Sequence, residues 1–237
     1  MTIKKWCCIG FVVIFLSAIG IIIYAKLSFH NVDYDYYIKK SPYNFISSVN
    51  SEVNDLEGMD YENMFNLQDF FIDEKISSLE DLIKLSDYIL IVANDEQPIF
   101  KGNAIINNST ILKVIKGEGL KENDKIKIYD LLFHWDIIRT FYLGGNTPLQ
   151  IDDEYIVFLR KPDRASVPNT FVFNSVKFGR VSLLEERDVL ENYEQGTLTF
   201  EEILNYDFVF LKNNIKEVEE YKKMVKQIRE FSNNEID

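Results

Sequence analysis

The sequence predicts a mainly β domain with flanking helices, of the α+β class, that follows one N-terminal transmembrane helix. Three observations support this prediction: an uncharged apolar run near the N-terminus, a series of short strand-like segments in the middle, and helical periodicity near the C-terminus. Of the 237 residues, 46% are hydrophobic, and 18 Phe and 13 Tyr against 10 Gly and 5 Pro favour packed strands over coil. A chain of this length and composition can bury a substantial core.

The N-terminal run, residues 6–25, reads WCCIGFVVIFLSAIGIIIYA and contains no charge. About twenty residues at roughly 1.5 Å per residue span a bilayer core of about 30 Å, so the run predicts a transmembrane helix preceded by a short head, residues 1–5. An aromatic residue stands at each end, where rings favour the headgroup region, and three lysines bracket the run. These flanking residues are Trp6, Tyr24, Lys4, Lys5 and Lys26.

We interpret this helix as a retained signal anchor, with a cleaved signal peptide and a lipoprotein signal as alternatives. Cleavage after Ala25 would follow bulky Ile23 two residues earlier, and Cys7 and Cys8 precede most of the run instead of following it. Lysines flank both ends in nearly equal numbers, so the charge rule alone leaves the orientation open. The short positive head favours a domain outside the cytoplasm, at the cell membrane of a bacterium.

Composition excludes several chemistries from the rest of the chain. Cys7 and Cys8 are the only cysteines, so the domain has no thiol for a disulfide, a zinc site or a nucleophile. Residues 1–26 hold three of the 26 Lys and Arg and none of the 38 Asp and Glu, which leaves residues 27–237 with a formal charge of −15. Such a charge repels nucleic acid, so we expect no nucleic-acid partner.

The chain after the anchor is predicted to have three parts: a juxtamembrane spacer at 26–76, a barrel-like β domain at 77–180 and a C-terminal helical segment at 181–237. Ser77-Ser78-Leu79-Glu80 has the form of a capping box and predicts a helix that ends near Asp87. The apolar run Tyr88–Ala93 then predicts a buried strand. Further strands are predicted at Ala104–Ile106, Thr110–Ile115, Lys125–Tyr129, Tyr155–Leu159 and Thr170–Phe178.

The C-terminal part has a helical pattern. Ser182-Leu183-Leu184-Glu185 and Thr199-Phe200-Glu201-Glu202 are both capping-box forms, each predicting a short helix, and Gly196 would end the first. An apolar stripe with intervals of three and four residues then predicts an amphipathic helix that packs on the barrel. The stripe consists of Ile215, Val218, Tyr221, Val225, Ile228 and Phe231.

The strand pattern resembles a known barrel. Thr110–Gly117 ends in a lysine-glycine turn, a second strand follows at Asp124–Ile128, and an acidic-aromatic strand comes at Asp153–Leu159. This arrangement is similar to bacterial exported domains that resemble the oligonucleotide/oligosaccharide-binding (OB) barrel in its tissue-inhibitor and netrin-like form. The resemblance covers roughly residues 86–180 and implies a small OB-like barrel. Inhibitors of that type depend on an N-terminal cysteine, which this domain lacks, so the resemblance implies a fold and no activity.

Candidate chemistry is sparse. Asp152, Asp153 and Glu154 form the densest acidic run before a strand, and paired carboxylates can bind calcium or act as acid and base, although a charged turn explains them equally well. His134 and Asp136 are two residues apart without a nucleophile motif, and the reading we favour for His134 is structural. No catalytic, cofactor-binding or metal-binding residue is therefore assigned.

We expect a non-enzymatic interaction or accessory domain, tethered at the outer face of a bacterial cell, with an envelope protein or other envelope component as partner. Two alternatives stay open at this point. One is an enzyme that uses the carboxylates of 152–154 on an envelope polymer, and the other is a sensor domain that faces the cytoplasm.

Overall fold

The computed structural model describes the chain in segments. The expected transmembrane helix at 6–25, with Trp6, Tyr24, Lys4, Lys5 and Lys26, lies outside the described residues. Among the described residues, no helix has the length and apolar character needed to cross a membrane. The described segments are 44–46, 73–101, 104–134, 140–143, 145–151, 153–162, 168–184, 188–194, 197–211 and 215–236.

The described residues form eleven strands, three α-helices and one short 3-10 helix, so the protein is mainly β with a long C-terminal helix. In chain order they are β1 (Asn44–Ile46), the 3-10 helix (Asp73–Lys75), α1 (Leu79–Leu85), β2 (Tyr88–Asn94), β3 (Ile99–Lys101), β4 (Ala104–Lys116), β5 (Lys125–His134), β6 (Thr140–Leu143), β7 (Glu154–Arg160), β8 (Thr170–Phe173), β9 (Arg180–Ser182), β10 (Asp188–Tyr193), α2 (Phe200–Ile203), β11 (Tyr206–Leu211) and α3 (Ile215–Ile236).

Five of these strands close into a barrel. β4 pairs with β2 on one side and with β5 on the other, β5 pairs with β8, β8 with β7, and β7 returns to β2. The β5–β8 pair is parallel and the other four pairs are antiparallel. The mainly β fold class and the small barrel that the sequence predicted are thus confirmed.

The remaining strands extend the barrel wall. β9 pairs with β7 along the same edge as β8, so β8 and β9 lie one after the other beside β7 with a turn at 174–179 between them. β3 pairs with the first residues of β4, β6 with the end of β5, and β1 with β6. β10 and β11 form a separate parallel pair.

The barrel encloses an inner core. Successive side chains of a strand point to opposite faces. In β2, Tyr88, Leu90 and Val92 therefore face inward, whereas Ile89 faces outward. The Tyr88 and Phe171 rings meet in an edge-to-face arrangement, with 5.0 Å between the ring centroids. The members of the inner core are Tyr88, Leu90, Val92, Ile111, Ile126, Ile128, Leu149, Tyr155, Val157, Leu159, Phe171 and Phe173.

An outer core fills the space between the outer surface of the barrel and α3. Tyr221 of α3 packs against Phe208 and Phe210 of β11, and burial raises the pKa of its phenol above the ordinary range. The predicted stripe on this helix is confirmed except for Ile215, which is 71% exposed because the first turn lies outside the packed interface. The outer core consists of Leu82, Ile89, Ile156, Phe158, Val181, Phe208, Phe210, Val218, Tyr221, Met224, Val225 and Ile228.

Helix α1 begins one residue later than the sequence predicted. Its N-cap is Ser78, whose side chain accepts a hydrogen bond from the Asp81 N–H, and Glu80 is exposed. The Asp81 carboxylate in turn accepts bonds from the hydroxyls of Ser77 and Ser78, which lower its pKa. The capping pair is therefore Ser78 and Asp81 instead of Ser77 and Glu80, and Leu82 of this helix lies in the outer core.

Two other predictions about secondary structure were wrong. Ser182, which was expected to cap a helix, is instead the last residue of β9. Its neighbour Val181 is buried in the outer core, and the Ser182 hydroxyl accepts from the Leu184 N–H. Pairing with the edge of β7 satisfies this backbone and buries an apolar side chain, which a short exposed helix would not do. The strand predicted from Thr170 to Phe178 ends at Phe173, because the turn at 174–179 follows.

The turn at 174–179 is held by Asp73, which precedes α1 by six residues. Its carboxylate accepts hydrogen bonds from the Ser175 hydroxyl at 2.8 Å, the Val176 N–H at 2.7 Å and the Lys177 N–H at 2.9 Å. Successive N–H groups of a turn form a concave anion site, and here a side chain of the same chain occupies it. We call this arrangement the Asp73 clamp.

Candidate functional site

Two groups of polar residues lie on the two sides of the barrel wall, around the end of β2 and along β4 and β5. The first group lies on the outer surface of β4 and β5 and at the turn after β2, and we call it the outer polar face: Asp95, Glu96, Asn108, Thr110, Lys125 and Lys127. The second group points into the barrel, and we call it the inner polar layer: Asn94, Asn107, Ser109, Asp130 and Arg180.

The outer polar face follows from strand alternation. Asn108 lies opposite Lys127 and Thr110 opposite Lys125 in the β4–β5 register. Their chain neighbours Ile126 and Ile128 point the other way, into the inner core. Polar residues at every second position of two paired strands therefore give one continuous polar surface.

The turn after β2 completes this face with two carboxylates. The Thr110 hydroxyl donates to the Asp95 carboxylate at 2.7 Å, and Lys125 Nζ approaches the same group at 3.3 Å. The Asn108 amide donates to Glu96 Oε1 at 2.7 Å, while the Asp95 N–H donates to the Asn108 carbonyl at 2.9 Å. These bonds hold the turn against the strands, so the face has a fixed arrangement of side chains.

The chemistry of the outer polar face suits recognition of polar groups. It presents carboxylates, ammonium groups, a hydroxyl and an amide within a few residues of one another. Tyr129, the next outward residue of β5, is only partly exposed and lies between Ile106 and Val172. A face of this kind can donate and accept several hydrogen bonds, and it offers no row of exposed aromatic rings for stacked bases among its six residues.

Part of the inner polar layer is a closed hydrogen-bond network. Asn94 Nδ2 donates to the Leu149 carbonyl at 3.1 Å and to the Glu96 carbonyl at 2.9 Å. The Ser109 hydroxyl donates to Asn94 Oδ1 at 3.3 Å. Asn94 thereby joins β2 to the segment that precedes β7, and it has partners for both ends of its amide.

The other part is a buried ion pair. Arg180 Nη1 lies 2.5 Å from Asp130 Oδ2, with side-chain exposures of 6% and 13%. The guanidinium carbon stands 4.6 Å from the centroid of the Phe173 ring, within the range of a cation–π contact. β8 has ended at this level, so the pair links β9 to β5 where the two strands have no backbone pairing.

The structure describes two of the three acidic residues that the sequence singled out. Glu154 begins β7 opposite Ala93 and is exposed, and Asp153 Oδ2 lies 3.4 Å from the Tyr155 hydroxyl. Asp152 lies outside the described residues. In the described part of the chain, no three or more His, Cys, Asp and Glu side chains are grouped so that they could hold a metal ion.

Asn107-Asn108-Ser109-Thr110 contains two overlapping Asn-x-Ser/Thr sequences of the kind that can accept a glycan. It lies inside β4, which runs unbroken from Ala104 to Lys116 where the sequence predicted two strands. Asn107 and Ser109 are buried, and the Asn108 amide is bonded to Glu96. These polar residues continue the strand, and the two that point inward, Asn107 and Ser109, belong to the inner polar layer.

Sequence comparison adds no homologue: no family model matches the chain, and no curated protein is significantly similar to it. Neither group of polar residues was predicted from the sequence, including the buried charges Arg180 and Asp130. Asp130 could have been recognised from the sequence, because it lies at every second position along β5 with Ile126 and Ile128, whose side chains point inward. A carboxylate at an inward position of an alternating strand predicts a buried partner, and Arg180 is that partner.

Proposed function

We propose that the protein is a non-enzymatic interaction domain, tethered to the outer face of a bacterial cell by residues 6–25, that binds a polar envelope partner through its outer polar face. The single observation that carries the proposal is the position of that face on the second and third strands of the barrel. The membrane placement depends on the sequence of the N-terminal run.

An OB-type barrel is part of this proposal. The barrel strands in chain order are β2, β4, β5, β7 and β8, and their order around the ring is first, second, third, fifth, fourth. The third and fifth strands are parallel, and the other neighbours are antiparallel. This order and this single parallel pair are what an OB barrel requires, which supports the resemblance drawn from the sequence.

The outer polar face stands where OB barrels bind their ligands. Those ligands lie on the second and third strands and against the loops that join strands one to two and four to five. Here these strands are β4 and β5, Asp95 and Glu96 come from the first of these loops, and Asn169 from the second donates to the Lys125 carbonyl at 3.4 Å.

The composition of the face selects the partner class. A charge of −15 on residues 27–237 opposes a phosphate backbone, and the six residues of the face include no aromatic ring for a base. Two lysines beside two carboxylates favour a partner that presents both charges or neutral hydroxyl and amide groups. A protein surface of the cell envelope meets this description, and it is the partner that we propose.

The first experiment tests the face in intact cells. Full-length protein carries the double substitution Lys125→Glu and Lys127→Glu, and the control carries Lys223→Glu and Lys226→Glu, which are exposed positions of α3. Chemical cross-linking in intact bacteria should capture an envelope protein with the wild type and the control, and much less of it with the face variant. Equal capture by all three proteins contradicts the proposed surface.

The second experiment tests topology. Cys7 and Cys8 are replaced, one cysteine is introduced at the exposed position Glu122, and cells are treated with a membrane-impermeant thiol reagent. Labelling of intact cells is the expected result. Labelling only after lysis, with the protein still in the membrane fraction, would instead support the cytoplasm-facing sensor.

A further inference from the structure

The inner polar layer contains two polar atoms whose hydrogen bonds are incomplete. Asn107 Oδ1 and Arg180 Nε are buried and have no hydrogen-bond partner. Asn107 is 0% exposed and Arg180 is 6% exposed, so bulk water does not reach either side chain freely. A buried polar atom without a partner costs free energy, and such atoms in folded proteins are nearly always satisfied.

The orientation of the Asn107 amide is fixed by its surroundings. Its Nδ2 donates to the Ile128 carbonyl at 3.3 Å. Rotating the amide by half a turn would place Oδ1 against that carbonyl oxygen, which repels it, and would leave the NH₂ group without an acceptor. Asn107 therefore presents an acceptor to the inner polar layer.

The two atoms are complementary and lie at neighbouring levels of the barrel. Asn107 faces Ile128 in the β4–β5 register, and Asp130, the partner of Arg180, is the next inward residue of β5, roughly 7 Å further along the strand. Asn107 Oδ1 needs a donor and Arg180 Nε needs an acceptor. A hydroxyl group can do both, and water is the smallest molecule that has one.

We propose that the inner polar layer is a binding site for internal water, in which water donates to Asn107 Oδ1 and accepts from Arg180 Nε. The near-complete burial of both residues selects water over a sugar or another polyol, which would need an open path to the interior. The site is separate from the outer polar face, so the proposal holds whether or not that face binds an envelope partner.

A crystal structure of the full-length protein in detergent, at better than about 1.8 Å, tests the proposal. We expect water density within about 3.2 Å of Asn107 Oδ1 and of Arg180 Nε. The Asn107→Leu variant should lose the water contact on the side of position 107, whereas water within about 3.2 Å of Arg180 Nε should remain. A dry layer at either atom in the wild type, or a protein group bonded to either atom, overturns the proposal.

A solution measurement decides the question independently of crystals. In isotope-labelled full-length protein, magnetisation transfer from water to the Arg180 Nε–H should reveal a long-lived bound water. The Nε–H of Arg229, which donates to the Ser182 carbonyl at 2.9 Å, serves as the matched control. If transfer to Arg180 is no stronger than transfer to Arg229, the internal water site is absent.

Discussion

At one end of the barrel interior, Tyr88 and Phe171 pack ring against ring, whereas at the other end Arg180 and Asp130 form a buried ion pair. Strands β2, β4, β5 and β7 contribute to both ends, whereas β8 lines the first end and β9 the second. The apolar end is stabilised by removing hydrocarbon from water, a term that grows with the area buried. At the polar end, the ion pair and hydrogen bonds must first offset the hydration free energy that the charges and amides lose on burial. The net contribution to stability is therefore small, although the loss of any one partner is costly.

The two ends of the barrel interior therefore contribute differently to the fold. The apolar end supplies the free energy of folding, and the polar end fixes which residues face one another where β8 gives way to β9. The outer polar face lies on the outer side of the strand segments that carry Asn94, Asn107 and Ser109, so these strands are held in register by specific bonds as well as by packing. The following predictions test this difference between the two ends.

The largest effect is expected at the apolar end. Phe171→Ala removes a fully buried ring from the inner core, and we expect a loss of about 4 kcal/mol in the free energy of unfolding. Urea unfolding of full-length protein in detergent, followed by circular dichroism, measures it. Leu184→Ala, at an exposed position, is the control and should change stability by less than about 0.5 kcal/mol. A loss below about 1 kcal/mol for Phe171→Ala would show that this end is not close-packed.

The ion pair gives the second largest effect. Arg180→Met removes the guanidinium that faces the buried Asp130 carboxylate, and we expect a loss of about 3 kcal/mol. Adding Asp130→Leu to the same chain should recover most of that loss, because the buried carboxylate that lost its guanidinium is then gone. If the double variant is as unstable as Arg180→Met, the polar end contributes to stability directly and the comparison fails.

Asn94 tests the hydrogen-bond network of the inner polar layer. Asn94→Ala leaves the Leu149 carbonyl and the Ser109 hydroxyl without their buried partner, with an expected loss of about 2 kcal/mol. The matched control is Asn108→Ala on the outer polar face, which removes a bond that water can replace and should cost less than about 0.5 kcal/mol. Equal losses in the two variants would contradict the distinction between the layer and the face.

The smallest effect is expected on the outer polar face itself. Lys125→Ala removes the ion pair with Asp95, in which the lysine side chain is 79% exposed, and should cost about 0.3 kcal/mol at low salt. In about 1 M sodium chloride the difference should vanish, because salt screens exposed charges. A salt-independent loss above about 1 kcal/mol would mean that this pair belongs to the fold and not to a binding surface.

The sequence predicted the parts of the fold whose pattern is local. The buried strand at Tyr88–Ala93 and the stripe on α3 follow from apolar periodicity, and the capping box at Thr199 and Glu202 lies where the sequence indicated. β9 was missed because its three residues are stabilised by pairing with β7, more than twenty positions away, and have no pattern of their own. Local pattern cannot indicate a strand that exists only because a partner edge is available.

The outer polar face likewise could not be predicted from the sequence alone. Asp95, Thr110 and Lys125 are separated along the chain, and ordinary turns and strands account for each of them singly. The β4–β5 register and the return of the turn after β2 bring them together. The acidic run at 152–154 attracted attention because its members are adjacent in sequence, yet Glu154 is simply the exposed first residue of a strand.

Closure of the barrel also bears on how fast the chain can fold. The β2–β7 pairing joins Tyr88 to Leu159, roughly 70 residues apart, and the parallel pairing joins Lys127 to Thr170, roughly 40 residues apart. Such long loops must close before the contacts between their ends can stabilise them, so barrels with these connections fold in milliseconds to seconds. A chain that stays unfolded for that time after synthesis can still be threaded through a membrane. Slow closure of the ring is thus an advantage for a domain that acts on the far side of the bilayer, as we propose here.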